Sequence, residues 1–216
     1  MDIKLKNISP HPLVNTFSGD IWGRELILAS KSIVHILAPS GSGKTTLVSF
    51  IYGLRKDFDG TLFFGESSTK EFDNNNWSIV RTEKIAVVFQ DLNLLEDLTV
   101  IENITLKNQL TYHFSFLDIE EMANRLGVLK KLNEKASTLS RGEKQRVAII
   151  RALCMPFNWI VLDEPFSHLD EENTIKAIDL IKEVVAKNEA GLIMANLHSD
   201  NYFNYESEIK MVYGCQ

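Results

Sequence analysis

An α/β fold built on a mainly parallel β-sheet is what this sequence predicts, and three observations carry the prediction. Short apolar runs of strand character alternate with stretches whose apolar residues recur at helical spacing, the pattern of a sheet covered on both faces. Two of those runs stop at groups suited to ligand chemistry, one at a Gly-rich loop and one at a pair of carboxylates. The ends of parallel strands are where such sheets bind ligands. Between them, residues 91–157 have a helical texture that interrupts the alternation, as an insertion at the sheet edge would.

Taken in order, Ile3, Leu5 and Ile8, separated by polar residues, predict an edge strand. SIVHILAP, residues 32–39, predicts a buried strand, and TTLVSFIYGL, residues 45–54, a helix. TLFFG and KIAVVFQ predict two further strands. Within the helical stretch, Thr99 and Glu102 have the spacing of a capping box, in which the hydroxyl and the carboxylate each take a free backbone N–H. WIVLDEP, residues 159–165, predicts a buried strand, TIKAIDLIKEVVAK a helix, and GLIMANL and EIKMVYG closing strands. No internal repeat or Pro/Gly-rich linker divides the chain.

The 216 residues suffice for one large α/β domain, and the composition, 44% hydrophobic and 24% charged, is that of a globular protein. A net charge of −6 with no Lys/Arg run argues against a nucleic-acid partner, since neutralising phosphates supplies most non-specific affinity. The two cysteines, Cys154 and Cys215, lack metal-ligand spacing and predict free thiols in a reducing compartment. No apolar run is long enough to span a membrane, and MDIKLKNISP has no signal-peptide core. Work at a membrane would therefore need another protein to hold the chain there.

Three segments carry chemistry. In HILAPSGSGKTTL, residues 35–47, Gly41 and Gly43 let backbone N–H groups face phosphate oxygens. Lys44 supplies a cation for β/γ-phosphates, Thr45 a hydroxyl for Mg²⁺, and the following helix its positive dipole end. Ala38 stands where the usual loop pattern has Gly; it costs little if its φ is negative and more if positive. A chance Lys in a Gly/Ser turn is the alternative, and the flanking strand and helix argue against it. In WIVLDEP, Asp163 is placed to hold Mg²⁺ through water and Glu164 to polarise an attacking water. In LSRGEKQRVAIIRAL, Ser140 and Glu143 form another capping-box pattern, and the Ser/Gly helix start suits a phosphate distinct from the first.

Together these motifs resemble the nucleotide-binding subunit of ABC transporters, over nearly the whole chain. PSGSGKTT resembles Walker A, Gln90 in VVFQDLNLL the Q-loop, and LSRGE the signature motif. WIVLDEP resembles Walker B, Ser167-His168-Leu169-Asp170 the D-loop, and His198, 34 residues after Glu164, the switch histidine. The run from Asn93 to Asn103 is most similar to the lipoprotein-releasing, macrolide-export and cell-division branch, although amino-acid importers share much of it.

The resemblance implies a P-loop NTPase fold of RecA-like type, with an N-terminal antiparallel β subdomain and an inserted α-helical subdomain. The single domain, 1–216, would divide into a core (1–90 and 158–216) and an insertion (91–157). It implies ATP and Mg²⁺ as cofactors, ATP hydrolysis as the activity, and a head-to-tail pair with a second ATPase subunit, homo- or heterodimeric. Pro39, Ser40, Gly41, Ser42, Gly43, Lys44, Thr45 and Thr46 would hold the phosphates of one ATP. Thr45, Gln90 and Asp163 would serve the metal, and Lys44, Gln90, Glu164 and His198 catalysis. Ser140 and Gly142 would act on the ATP of the opposite subunit, with Asp170 linking the two sites.

An integral membrane subunit is the implied partner, keeping the chain on the cytoplasmic face of the cell membrane. It would dock after Gln90, with Leu92, Leu94, Leu95 and Leu98 as candidates for an exposed apolar face unless the subdomain core takes them. A soluble or regulatory cassette with little turnover is the alternative function. Its support is Ala38, the Arg141 that replaces a signature Gly, and the lack of a clear adenine-stacking aromatic, for which His11 and Phe17 are the candidates. The segment MANLH also departs from the family's Thr-His. His35 and His168 read as structural, and Trp22, Trp77 and Trp159 as packing residues.

Overall fold

The computed structural model describes residues 1–11 and 17–213. Its centre is a six-stranded sheet in the order β2-β10-β4-β9-β8-β7. The strands are β2 (Phe17–Gly19), β4 (Ile33–Leu37), β7 (Ile85–Val88), β8 (Trp159–Asp163), β9 (Gly191–Asn196) and β10 (Ser207–Tyr213). All neighbours are parallel except β10 and β2. A second, antiparallel sheet runs β3-β1-β5-β6, from β1 (Ile3–Pro10), β3 (Glu25–Leu28), β5 (Phe58–Phe64) and β6 (Ser67–Ser68).

Successive side chains on a strand point to opposite faces, and both faces of the parallel sheet are covered. On one side Ala86, Val88, Ile160, Leu162, Leu192 and Met194 join a core completed by four helices. These are α3 (Val100–Thr111), α4 (Phe116–Arg125), α5 (Arg141–Leu153) and α6 (Glu171–Lys187). On the other side Ile85, Val87, Trp159, Val161, Ile193 and Ala195 pack against α1 (Lys44–Ile51), the antiparallel sheet and Trp77 of the short helix α2 (Asn74–Ile79). Each apolar side chain so buried contributes roughly 1.5–3 kcal/mol, which explains why these strands are runs of Val, Ile and Leu. The helices α3 to α5 follow β7, the edge strand, so the sheet itself remains uninterrupted.

The expected edge strand at Ile3–Ile8 is an interior one. β1 pairs with β3 on one side and β5 on the other. Its alternation reports that one face is covered, and an interior strand of a one-sided sheet has the same pattern. Of the four leucines expected to offer an apolar surface, Leu92 is buried and Leu94 packs against the helical core, Leu98 is half-buried, and Leu95 is exposed. Both capping boxes form, Thr99 with Glu102 and Ser140 with Glu143. Cys154 is a buried free thiol, and Cys215 lies outside the described residues.

The end of α1 shows how locally the chain enforces this packing. Gly53 has φ +70°, donates to the Phe50 carbonyl at 3.1 Å, and Leu54 donates to that of Ser49 at 2.9 Å, a Schellman stop. A Cβ on Gly53 would meet the Trp77 ring at 2.1 Å. Gly53→Ala is therefore expected to cost about 2–4 kcal/mol, from the left-handed backbone and the overpacked ring together. Urea unfolding of the two proteins measures it, and a loss under about 0.5 kcal/mol would contradict the assignment.

Candidate functional site

β4 delivers the chain to the Gly-rich loop. Ala38 is buried, its backbone is not left-handed, and its N–H donates to the Asn196 carbonyl at 3.0 Å. The position thus needs a small side chain and no special φ, so Ala serves there. The left-handed turns fall later, at Gly41 (φ +81°) and Gly43 (φ +91°). Ser42 points inward, fully buried, and its carbonyl accepts from the Trp22 indole N–H at 3.2 Å. Gly43 is the N-cap of α1 and brings no side-chain acceptor, so the first-turn N–H groups of α1 have no side-chain cap. That is a helix start suited to an anion.

β8 ends beside this loop. Asp163 is fully buried and Lys44 nearly so. The Lys44 ammonium donates to Glu164 Oε1 and lies 3.6 Å from Asp163 Oδ1. Thr45 Oγ1 donates to Asp163 Oδ2 at 3.4 Å, and Asp163 Oδ1 has no hydrogen-bond partner. Burial pushes the Asp163 carboxyl up to about 6; Lys44 and the Thr45 hydroxyl oppose this, and the charge of Glu164 adds to it. Glu164 has φ +47° although Pro165 already restricts it, a strained backbone at a point where two motifs meet.

Pro39, Ser40, Gly41, Gly43, Lys44, Thr45, Thr46, Gln90 and Glu164 line one cleft of about 380 Å³, together with Leu197. Gln90 Nε2 reaches Glu164 Oε2 at 3.5 Å, the outer limit of a hydrogen bond. His198, exposed in the bend after β9, shares an adjoining hollow with Glu164 and Leu197. Ser140, Gly142 and Asp170 do not line the cleft. Ser140 is the N-cap of α5 and Asp170 that of α6. Gly142 abuts the turn before Asp170, since a Cβ there would lie 2.9 Å from the His168 carbonyl. His168 is tied to Ser167 and to Gln145, and His35 is buried. Trp22, Trp77 and Trp159 are buried. His11 is paired with Asp59 at 2.8 Å, and the Phe17 side chain lies outside the described residues.

Two residues that no motif flags connect these parts. Gln145, buried on α5, donates to the Glu164 carbonyl at 3.1 Å and accepts from the His168 N–H at 2.9 Å. Arg151, near the other end of α5, donates to the carbonyls of Leu92 and Asn93 at 2.6 and 2.7 Å. Both of those residues have positive φ, so one guanidinium secures the strained turn that follows Gln90. A Gln and an Arg inside an amphipathic helix give no sequence signal of such long-range contacts.

The family model described as ABC transporter matches residues 23–167, which contain the loop, Gln90, the start of α5 and the β8 carboxylates. The chain belongs to the ABC transporter family. This cassette is 31% identical to an uncharacterized ABC transporter ATP-binding protein of Mycobacterium tuberculosis over 85% of its own length, and spans 57% of that relative. It is 32% identical to the lipoprotein-releasing system ATP-binding protein LolD of Legionella pneumophila, over 80% of this chain and 77% of LolD. The dimeric post-hydrolysis structure of the ATP-binding cassette MJ0796 from Methanocaldococcus jannaschii, bound to ADP and Pi, superposes with a TM-score of 0.78. It is 28% identical, over 93% of this chain and 89% of that one.

The buried carboxylate of the cassette makes its stability pH-dependent. Between pH about 4 and 6 the folded chain keeps a proton on Asp163 that the unfolded chain has released, so raising the pH through this window removes stability. Asp163→Asn is uncharged throughout. It is expected to be more stable than the wild type by about 1–3 kcal/mol at pH 8 and to lose that advantage near pH 4. Urea unfolding at the two pH values measures this; an advantage that is the same at both would contradict the burial argument.

Proposed function

We propose that this chain is the ATP-binding and ATP-hydrolysing subunit of an ABC transporter, pairing head to tail with a second ATPase subunit around two ATP. The observation that carries the reading is the convergence of the loop 39–46, Gln90 and Glu164 on one cleft, while Ser140 and Gly142 face elsewhere. A single chain so arranged holds half of each of two sites. The dimeric MJ0796 structure supports that pairing.

In this reading Lys44, the loop N–H groups and the start of α1 bind the triphosphate. Phosphate oxygens compete with Glu164 for the Lys44 ammonium, and Glu164, once released, accepts a proton from the attacking water as general base. Gln90 and His198 orient the water and the terminal phosphate from the two sides of Glu164. Ser140 and Gly142 supply the N-terminus of α5 to the opposite nucleotide, and Asp170 carries the state of one site to the other. The donor set suits Mg²⁺: Asp163 Oδ1 is buried without a partner beside the Thr45 hydroxyl, and Gln90 is near. Among the described residues no cluster of three His, Cys, Asp or Glu side chains could hold a metal by itself, so phosphate and water oxygens would complete the shell. The ion would neutralise phosphate charge there.

Among the described residues no helix is long and apolar enough to cross a membrane. An integral membrane subunit holds the cassette at the cytoplasmic face and receives its conformational change. The polar groove after Gln90, walled by Leu94, Leu139 and Arg141 and close in sequence to the exposed Leu95, is the docking place. The similarity to LolD supports lipoprotein release or export as the task.

Glu164→Gln is expected to lower Mg-ATPase turnover by roughly a hundredfold or more while ATP binding persists. Tagged and expressed in its native host, then extracted from membranes with ATP and Mg²⁺, it should bring an integral membrane protein with it. Recovery as a soluble dimer alone would overturn the transport reading, and turnover equal to wild type would overturn the role of Glu164.

A further inference from the structure

His198 stands on a stretch, residues 197–206, without helix or strand. A group on such a loop is positioned only as well as the loop is tied down. At the far end the Glu206 N–H donates to the Ile33 carbonyl of β4 at 2.8 Å and Phe203 is buried, and nearer His198 the tie is one carboxylate. Asp200 accepts from the Asn196 side-chain amide at 2.6 Å, from the Tyr202 N–H at 3.0 Å and from the Tyr205 hydroxyl. Its side chain is 10% exposed.

Behind Asp200 lies His35, 1% exposed, with Nε2 3.5 Å from Asp200 Oδ2 and Nδ1 3.9 Å from Glu208. The imidazole stacks on the Tyr205 ring at 4.4 Å and 14°. Burial and the bond to Asp200 raise the Tyr205 phenol above its ordinary range, so its hydroxyl remains a donor. His35 belongs to β4, three residues before Ala38, and Ala38 donates to the carbonyl of the same Asn196. The strand that ends in the phosphate loop and the loop that carries His198 therefore meet at one buried junction.

We propose that Asp200 is a positioning residue for His198, registering residues 197–206 against β4 and the phosphate loop through Asn196, Tyr202 and Tyr205, the last stacked on His35 of β4. The junction gives Asn196, the last residue of β9, a side-chain role: its amide ties the strand end to Asp200. It also gives Tyr205 a task beyond filling space, with His35 stacked on its ring. The proposal rests on the reading of His198 as part of the nucleotide site.

The test is Mg-ATPase kinetics of the full chain with Asp200→Ala, Tyr205→Phe, His198→Ala and the Asp200→Ala/His198→Ala pair. Asp200→Ala is expected to lower kcat roughly tenfold to a hundredfold with KM for ATP within about twofold, as misplacement of a group beside the reacting atoms does. Tyr205→Phe removes one oxygen from a filled site and is expected to lower kcat about threefold with a melting temperature near wild type. The pair should be no slower than His198→Ala alone, because Asp200 acts through His198. Unchanged kcat in both Asp200→Ala and Tyr205→Phe, or a further loss from Asp200→Ala in the His198→Ala background, would overturn the proposal. Wild-type kcat in His198→Ala would overturn the reading of His198 and the proposal with it, and that single variant distinguishes the two failures.

Discussion

Two carboxylates in succession at the end of a buried strand repel each other, and burying either is costly unless a cation shares the space. Lys44 is that cation. Its ammonium reaches both Asp163 and Glu164 although it lies about 120 residues away in the chain. A charge pair near 4 Å is worth on the order of 4 kcal/mol at an intermediate dielectric, comparable to the desolvation it offsets. The parallel register of β4, β9 and β8 brings the loop and the acids to the same end of the sheet, and the Gly41 and Gly43 turns aim Lys44 across it. Lys44 and Glu164 line the cleft, and Lys44 opposes the rise that burial imposes on the Asp163 pKa.

The remaining parts are arranged around one rod. α5 has 13 residues, about 20 Å of helix, and touches the machinery at three heights. Ser140 caps it, and Gly142 in its first turn abuts the turn before Asp170. Gln145 bonds the Glu164 carbonyl. Arg151 grips the turn after Gln90. A displacement of the helical layer against the sheet must therefore alter the start of α5 and the segment beyond Gln90 together, because interior packing leaves little room for bending between them.

Legibility in the sequence followed the range of each interaction. β4, β7, β8 and β9 are covered on both faces, so each is a mainly apolar run, with His35 the polar side chain inside β4, and the loop after β4 and the acids at the end of β8 are consecutive residues whose chemistry is local. β3, α2 and β6 carry too few residues for a periodic signal. β1 misleads because alternation counts covered faces and not neighbouring strands. Ala38 could not be weighed until its φ and burial were known. Gln145 and Arg151 are invisible for another reason: each acts on backbone groups many residues away that no spacing rule encodes, while Asp200 bonds near neighbours within an irregular loop that has no periodic signal. His35 needs Tyr205, 170 positions further along (205 − 35), before its burial makes sense.

One contact described above makes the phosphate loop observable by light. The Trp22 indole donates to the Ser42 carbonyl, in the middle of the loop, and packs edge-on to Phe50 of α1. Indole emission responds to its hydrogen bond and to nearby dipoles, so a shift of the loop changes the colour and intensity of this one fluorophore. The chain has three tryptophans, and Trp77 and Trp159 are packed against the sheets, where they form a steady background. The unmodified protein thus carries its own optical gauge of loop occupancy, readable in a stopped-flow instrument on the timescale of nucleotide arrival.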